Sequence, residues 1–348
     1  VADHVELADL DVELVKRADG TTNFQDLAPS HGHPAPAASP GQPAEPAAAL
    51  ALEIDAIRLR NATIVWRDEA SGRSLRLTGL DARTGRIAKG ARGQVEIATR
   101  VEGPNPAVKV DLKGSAGYRL DFARGAFAFN DVDLRLAGDA PAAVGLVATL
   151  RGDVEVDPAR ELVDIAKLAV AVTTRDGLDL KASVPKLRLT STGAAGEAAS
   201  ADLKLVQPVR MVTARLELSA LAAEGKQLRF ARLGAEAEVR QGETTVVVTL
   251  ASPLAIDYAA HTAELSSLAG ELVASGLQIP EKSAKASLSG SARVAWGRPS
   301  SASAELATQL DDSSLRLKVA VADFDHPAID FDVTADWLDM ARYLPLVG

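Results

Sequence analysis

"LRGDVEVDPARELVDIAKLAVAV", residues 150–172, decides the fold. Val154 and Val156 alternate with Asp153 and Glu155, then Asp157-Pro158-Ala159-Arg160 interrupts the run and a second apolar-rich stretch follows. Alternation with a period of two marks a half-buried strand. Aspartate suits the head of a turn, because its carboxylate accepts hydrogen bonds from backbone N–H groups one or two residues on. The same arrangement recurs in "GYRLDFARGAFAFNDVDLRLAG" (117–138) and "ASPLAIDYAAHTAELSSLAGELVAS" (251–275). With Asp121, Asp157 and Asp257 in register, Ala123, Ala159 and Ala259 coincide. Eight positions on stand Phe129, Ile165 and Leu265; eleven on, Val132, Leu168 and Leu268; fifteen on, Leu136, Val172 and Leu272. Each copy reads as strand, Asp-led turn, strand, and a further strand with the same facing. The three aspartates recur without a His, Lys or nucleophile partner, so they read as structural turn residues.

The alternation extends along most of the chain, as in "QVEIATRV", "VKVDLKG", "DVDLRLAG", "ARLELSA", "SLRLKVAV" and "AIDFDV". Lys, Arg, Asp, Glu and Thr occupy the opposite positions. About twenty strands are expected, mostly antiparallel, in a sheet that each repeat extends in one direction. One face is apolar and needs a cover: a second layer, closure of the sheet on itself, or a ligand. Long amphipathic helical patterns are nearly absent, and short helices are expected only after Asn23 and at 336–345. The pattern therefore predicts an all-β fold, an elongated, curved sheet rolled into an open apolar groove. Val110, Leu112, Leu134, Leu136, Val170, Val172, Leu216, Leu218, Leu315, Leu317 and Val319 are expected to line it. Residues 29–49 are rich in Pro and Ala and read as a flexible insertion in a single groove over 1–348. "STGAAGEAAS" (191–200) reads as a shorter loop.

Composition removes several function classes. Aromatics make up 4% of 348 residues, and the formal net charge is -9, which argues against nucleic acid. The absence of cysteine removes disulfides, thiol nucleophiles and Cys-based zinc sites, and suits the bacterial periplasm. No run approaches the ~20 apolar residues of a spanning helix. The chain opens directly in the alternating "VELADLDVELV", so it reads as a piece of a longer chain.

Isolated signals carry bland readings. His31 and His33 sit in the Pro/Ala insertion without a carboxylate cluster, His261 and His326 in loops, and Asp311-Asp312 in a strand-entry turn. Trp66, Trp296 and Trp337 read as edge or end packing. Arg58, Arg60, Arg67, Arg73 and Arg76 read as a solvated outer face, with lipid-headgroup contact as the alternative. No catalytic constellation, metal site or cofactor motif stands out. An enzyme built on stacked strands would want acids, bases and aromatics gathered on one face.

Three stretches resemble the AsmA family of bacterial envelope proteins. "VELVKRADGTTNFQDL" is similar to an early family strand and its turn at Asp19, Gly20, Asn23 and Phe24. "IDAIRLRNATIVWRDEASGRSLRLTGLDARTGRI" is similar to the pattern of strand, Asn61-Ala62, strand ending in Trp66-Arg67-Asp68, a turn at Gly72, and strand. "DVTADWLDMARYLP" resembles the run at Leu338, Asp339, Arg342, Tyr343, Leu344 and Pro345. The resemblance implies a periplasmic protein held at the inner membrane by an N-terminal helix, with further groove strands beyond the present chain. It implies a groove that carries phospholipid acyl chains between inner and outer membranes, without enzymatic activity. A scaffold or regulator of outer-membrane assembly, acting through protein partners, is the alternative.

Overall fold

Alternating Val, Leu, Ile and Thr with charged residues favours extended backbone, since branched side chains pack well on a pleated surface half in contact with water. The computed structural model describes residues 4–24 and 53–337, except positions 89, 106, 123, 142, 226, 278, 280, 281, 311, 312 and 325. The Pro/Ala insertion, its two histidines, Asp311-Asp312 and most of both expected helices lie outside the described residues. The chain divides into two compact units, Val1–Arg160 and Glu161–Gly348.

The first unit holds β1 (Val5–Ala8), β2 (Asp11–Lys16), β3 (Ile57–Asp68), β4 (Arg73–Thr84), β5 (Arg92–Asn105), β6 (Ala107–Asp121), β7 (Ala126–Ala140) and β8 (Ala143–Asp157). From β3 to β8 each strand pairs antiparallel with the next. β1 and β2 instead lie end to end along β3, both parallel to it. Asp9 (φ 53°) separates them and faces Asn61 (φ 50°), whose amide Nδ2 donates to Asp9 Oδ1 at 2.7 Å.

The second unit holds β9 (Leu162–Thr173), β10 (Leu178–Thr190), β11 (Gly193–Gly196), β12 (Ala199–Gln207), β13 (Arg210–Leu218), β14 (Leu221–Glu224) and β15 (Gln227–Gln241). It continues with β16 (Thr244–Asp257), β17 (Thr262–Ser275), β18 (Ser283–Ala295), β19 (Ser301–Leu310), β20 (Ser313–Ala322) and β21 (Ala328–Ala335). β11 and β12 share one edge of β10, and β13 and β14 share one edge of β15, so each pair fills a single strand position. The stretch 191–200, expected as a loop, contains β11 and the start of β12. Its small residues permit the pairing: a Cβ on Gly196 would lie 3.0 Å from Lys186 O, and one on Gly193 3.0 Å from Ala223 O.

The repeated turns connect β6 to β7, β8 to β9 and β16 to β17. Asp121 Oδ1 accepts the N–H of Arg124 at 3.3 Å, Asp157 Oδ1 that of Arg160 at 3.3 Å, and Asp257 Oδ1 those of Ala259 and Ala260 at 3.0 and 2.8 Å. The further strand expected after each turn is in fact the same strand continued past a bulge. Register shifts fall between Phe129 and Val132 and between Leu265 and Leu268, and Lys167 takes φ 53° between Ile165 and Leu168. An odd step of three residues would swap faces in a regular strand, and an extra bulged residue restores the facing while bending the strand. Two bulges are pinned across the ladder: Asn61 N–H donates to Asp81 Oδ1 at 3.0 Å, and Asp131 N–H to Asp153 Oδ1 at 2.8 Å.

Asp157 carries more than its turn. It is buried, and its Oδ2 accepts from Arg124 Nη2 at 3.2 Å, tying the β6–β7 turn to this one, with Arg160 Nε at 3.5 Å. Removing a buried acceptor of charged donors costs about 1.5–3 kcal/mol. Asp157→Ala should lower stability by that amount in a denaturant melt, and Arg124→Ala by less because Arg124 is exposed. Equal stability of Asp157→Ala and parent would remove this role.

Candidate functional site: an apolar sheet face

Direct cross-strand partners share a face, so the ladder registers place every side chain. In the first unit one row runs Ala82, Ile97, Gly114, Leu134, Leu150, and the next Thr99, Leu112, Leu136, Ala148. A third runs Leu77, Val101, Val110, Gly138, Leu146. In the second unit one row crosses from β9 to β21 through Val170, Ala182, Ala201, Leu216, Ala235, Leu250, Gly270, Leu288, Thr308, Leu315 and Ala335. Ten steps at ~4.8 Å make this row about 48 Å long. That is long beside an acyl chain, which fills half of a ~30 Å hydrocarbon core.

Within each unit the expected residues share one face: Val110, Leu112, Leu134 and Leu136 in the first, and Val170, Val172, Leu216, Leu218, Leu315, Leu317 and Val319 in the second. The structure brings Leu112 directly opposite Leu136, puts Leu134 over Gly114, and sets Val170, Leu216 and Leu315 on one row. Val172 opposes Leu180, Leu218 opposes Leu233, Leu317 lies between Leu306 and Val333, and Val319 between Ala304 and Phe331. The sequence reading left out residues beyond a bulge, such as Phe129 and Leu265, whose parity the bulge reverses. It also left out Leu203, Leu250 and Leu288, whose alternation is as clear as that of their neighbours.

This face is not sealed like an interior. Among the described residues nine hydrophobic side chains are buried, four of them alanines, and no large side chain is fully enclosed. Val110 is buried; Leu112, Leu134, Leu136, Val170, Val172, Leu218, Leu315, Leu317 and Val319 are half-buried, and Leu216 is exposed. On β21, Ile329, Phe331 and Val333 are 66%, 70% and 54% exposed. The glycines Gly114 and Gly270 let neighbouring leucines lie flat, since a Cβ at either would meet Leu134 Cδ2 or Leu250 Cδ2 within 2.5 Å. In the first unit Tyr118 is buried on this face, covers Gly93 and donates its hydroxyl to Arg86 O at 3.0 Å. Burial pushes the Tyr118 phenol up from its ordinary pKa.

No ionisable side chain stands on the four rows. The opposite face holds the charges in cross-strand pairs: Arg83 with Glu96 at 3.3 Å, Arg100 with Asp111 at 2.8 Å, Arg215 with Asp202 at 2.7 Å and Lys318 with Glu305 at 3.2 Å. Two hollows, of about 790 and 370 Å³, lie among these long charged side chains, the larger also bordered by Ala82, Ile97 and Gly114. The apolar rows of each unit offer half-exposed apolar area. The apolar rows can exclude water from a hydrocarbon chain; they offer no acid, base or nucleophile to a reacting group.

A family model described as the AsmA family matches residues 2–204. That span exceeds half of the 348 residues. The chain belongs to the AsmA family. Membership points to a function associated with the bacterial envelope. The match covers the first unit and reaches into β12, so Leu216, Leu218, Leu315, Leu317 and Val319 lie beyond it. No curated protein and no solved structure matches the chain. Among the described residues no helix is long and apolar enough to cross a membrane.

Of the residues that carry the AsmA resemblance, the run at Leu338, Asp339, Arg342, Tyr343, Leu344 and Pro345 lies outside the described residues, and several of the others serve turns and bulges. Asp19 Oδ1 accepts from the Thr21 hydroxyl and N–H, which hold its carboxyl below the ordinary range, and Gly20 takes φ 86°. Asn23 Oδ1 accepts Val15 N–H and its Nδ2 donates to Glu13 O, both at 2.8 Å, returning the turn onto β2. Asp68 Oδ1 accepts Ala70 N–H at 3.0 Å ahead of Gly72 at φ 64°, and Trp66 stands on the apolar face between Leu14 and Leu75.

Proposed function

We propose that the apolar face holds phospholipid acyl chains and conducts them through the periplasm, between the inner and outer membranes, without a chemical step. The observation that carries this reading is a long, uncharged apolar face left half-exposed. Each methylene moved from water to such a face gains about 0.8 kcal/mol. A chain of many methylenes is therefore retained without any single polar contact, and it can slide because no position is preferred. A conduit between membranes gains from this uniformity. In the cell the protein is held at the inner membrane and supports outer-membrane lipid balance and assembly, where assembly proteins are the expected partners.

Organic extracts of the purified protein, analysed by mass spectrometry, test the reading. Phospholipid should be recovered at a fixed molar ratio to protein, and delipidated protein should take up added phospholipid. Protein that is clean at isolation and takes up none would instead fit a scaffold that acts through protein partners.

A further inference from the structure

On the charged face of the first unit opposite charges meet across the ladder, as Arg76 faces Glu102 and Arg100 faces Asp111, and like charges meet as well, as Arg92 faces Arg119. Two like-charge pairs come together at one hollow. Here Arg58 stands directly opposite Arg83, and Lys113 directly opposite Arg135. Like charges in directly opposed positions, with Cβ atoms ~4.5–5.5 Å apart, destabilise a sheet. Both pairs border the same hollow of about 790 Å³, together with Arg60. Its volume falls within the range of ~300–1,000 Å³ usual for small-molecule sites.

The local acids do not neutralise these cations. Glu96 is taken by Arg83 at 3.3 Å, Asp133 by Arg151 at 3.0 Å, and Asp81 accepts the bulge N–H of Asn61 at 3.0 Å. Arg60 pairs with Glu6. Among the described residues Arg58, Lys113 and Arg135 form no salt bridge, although Glu6 stands across the ladder from Arg58 and the charge of Lys113 acts on Asp111, so three cations border the hollow without a close carboxylate partner. We propose that this hollow binds a phosphate group, seated between Arg58, Lys113 and Arg135. Guanidinium groups grip phosphate oxygens in bidentate fashion, while the ammonium supplies a point charge. The Ser115 hydroxyl and the lining carboxylates can receive the hydroxyl or amino groups of whatever carries the phosphate. Binding would remove the repulsion that the two like-charge pairs place on the sheet. The phosphate can come from a soluble phosphate ester or from a lipid headgroup.

The site is independent of the apolar face, and the test keeps the two apart. The full chain is titrated at low ionic strength with inorganic phosphate and with glycerol phosphate, by calorimetry and thermal melting, against chloride at matched ionic strength. Flotation with phosphatidylglycerol vesicles, against phosphatidylcholine vesicles, tests the headgroup source. Phosphate or its ester should raise the melting temperature where chloride does not. Lys113→Gln/Arg135→Gln should weaken binding at least tenfold without lowering the phosphate-free melting temperature, and Arg151→Gln should leave binding within twofold. Soluble binding without flotation assigns a free phosphate ester; flotation with phosphatidylglycerol, lost in the double variant, assigns a headgroup. Chloride acting as well as phosphate, or a double variant binding like the parent, overturns the site. Silence in both the soluble and vesicle assays overturns it too. Lipid co-purification should be unchanged in the double variant, so failure here leaves the acyl-chain reading standing.

Discussion

Leu317→Arg is expected to leave the protein folded and to strip it of lipid. Leu317 sits half-buried between Leu306 and Val333, and Val333, Phe331 and Ile329 on the neighbouring strand are largely exposed. An arginine there can lay its methylene stem along the face and lift its guanidinium into water. Any acyl chain crossing that point must give up contact. Displacing two methylenes at ~0.8 kcal/mol each removes about 1.6 kcal/mol, roughly tenfold in occupancy. Leu134→Arg tests the first unit in the same way, from the row that joins Gly114 to Leu150. Arg316→Glu, on the charged face opposite Ala307 and Thr334, serves as the control and should be nearly silent. Circular dichroism paired with lipid content decides the matter. Were the face a sealed interior, each leucine variant would bury an unpaired charge, and the chain would unfold or fail to accumulate. Unfolding of both would overturn the open trough in favour of the scaffold.

Gly290→Ala should be among the most damaging small substitutions in the second unit. Gly290 lies on the apolar face between Leu268 and Leu306, at φ 154°, beside the bulge of β17. A Cβ built there would stand 2.1 Å from Glu305 O and 3.0 Å from Leu306 Cα, so β18 and β19 would have to separate. The backbone conformation alone costs a side chain on the order of 1–3 kcal/mol. At ~2–4 °C per kcal/mol for a unit of this size, and with the clash added, the melting temperature should fall by about 5–10 °C. Gly242→Ala makes the comparison: its φ is 57°, but no atom lies within 4 Å of the added Cβ, so left-handed strain of ~1–2 kcal/mol is the whole effect. Equal losses at the two glycines would mean that the β18–β19 ladder is not as close as described.

The alternation of Leu315, Leu317 and Val319 with Arg316 and Lys318 was enough to place those side chains on opposite faces, because strand geometry has a period of two whatever the strand pairs with. The Asp-led turns were equally legible, since a carboxylate and the backbone two or three residues on form a local contact. The sequence by itself thus determined the strands, their facing within each unbroken run, and the turns that join them.

Tertiary structure decided what depends on the neighbouring strand. Phe129 and Val132 share a face because a bulge opposite Gly152 and Val154 resets the parity, and the extra residue is recognisable only against the partner's register. β1 and β2 run parallel to β3, a choice the alternation leaves open because parallel and antiparallel partners present the same faces. The Gly-Ala stretch around Gly193 became a strand through the ladders of β10 and β14 rather than through any preference of its own. Arg58 and Arg83 lie 25 positions apart in sequence, and Lys113 and Arg135 lie 22 apart, so their oppositions and the shared hollow exist only once the registers are set. Facing is a property of one strand; register belongs to two, and the energies that set it lie in the contacts between them.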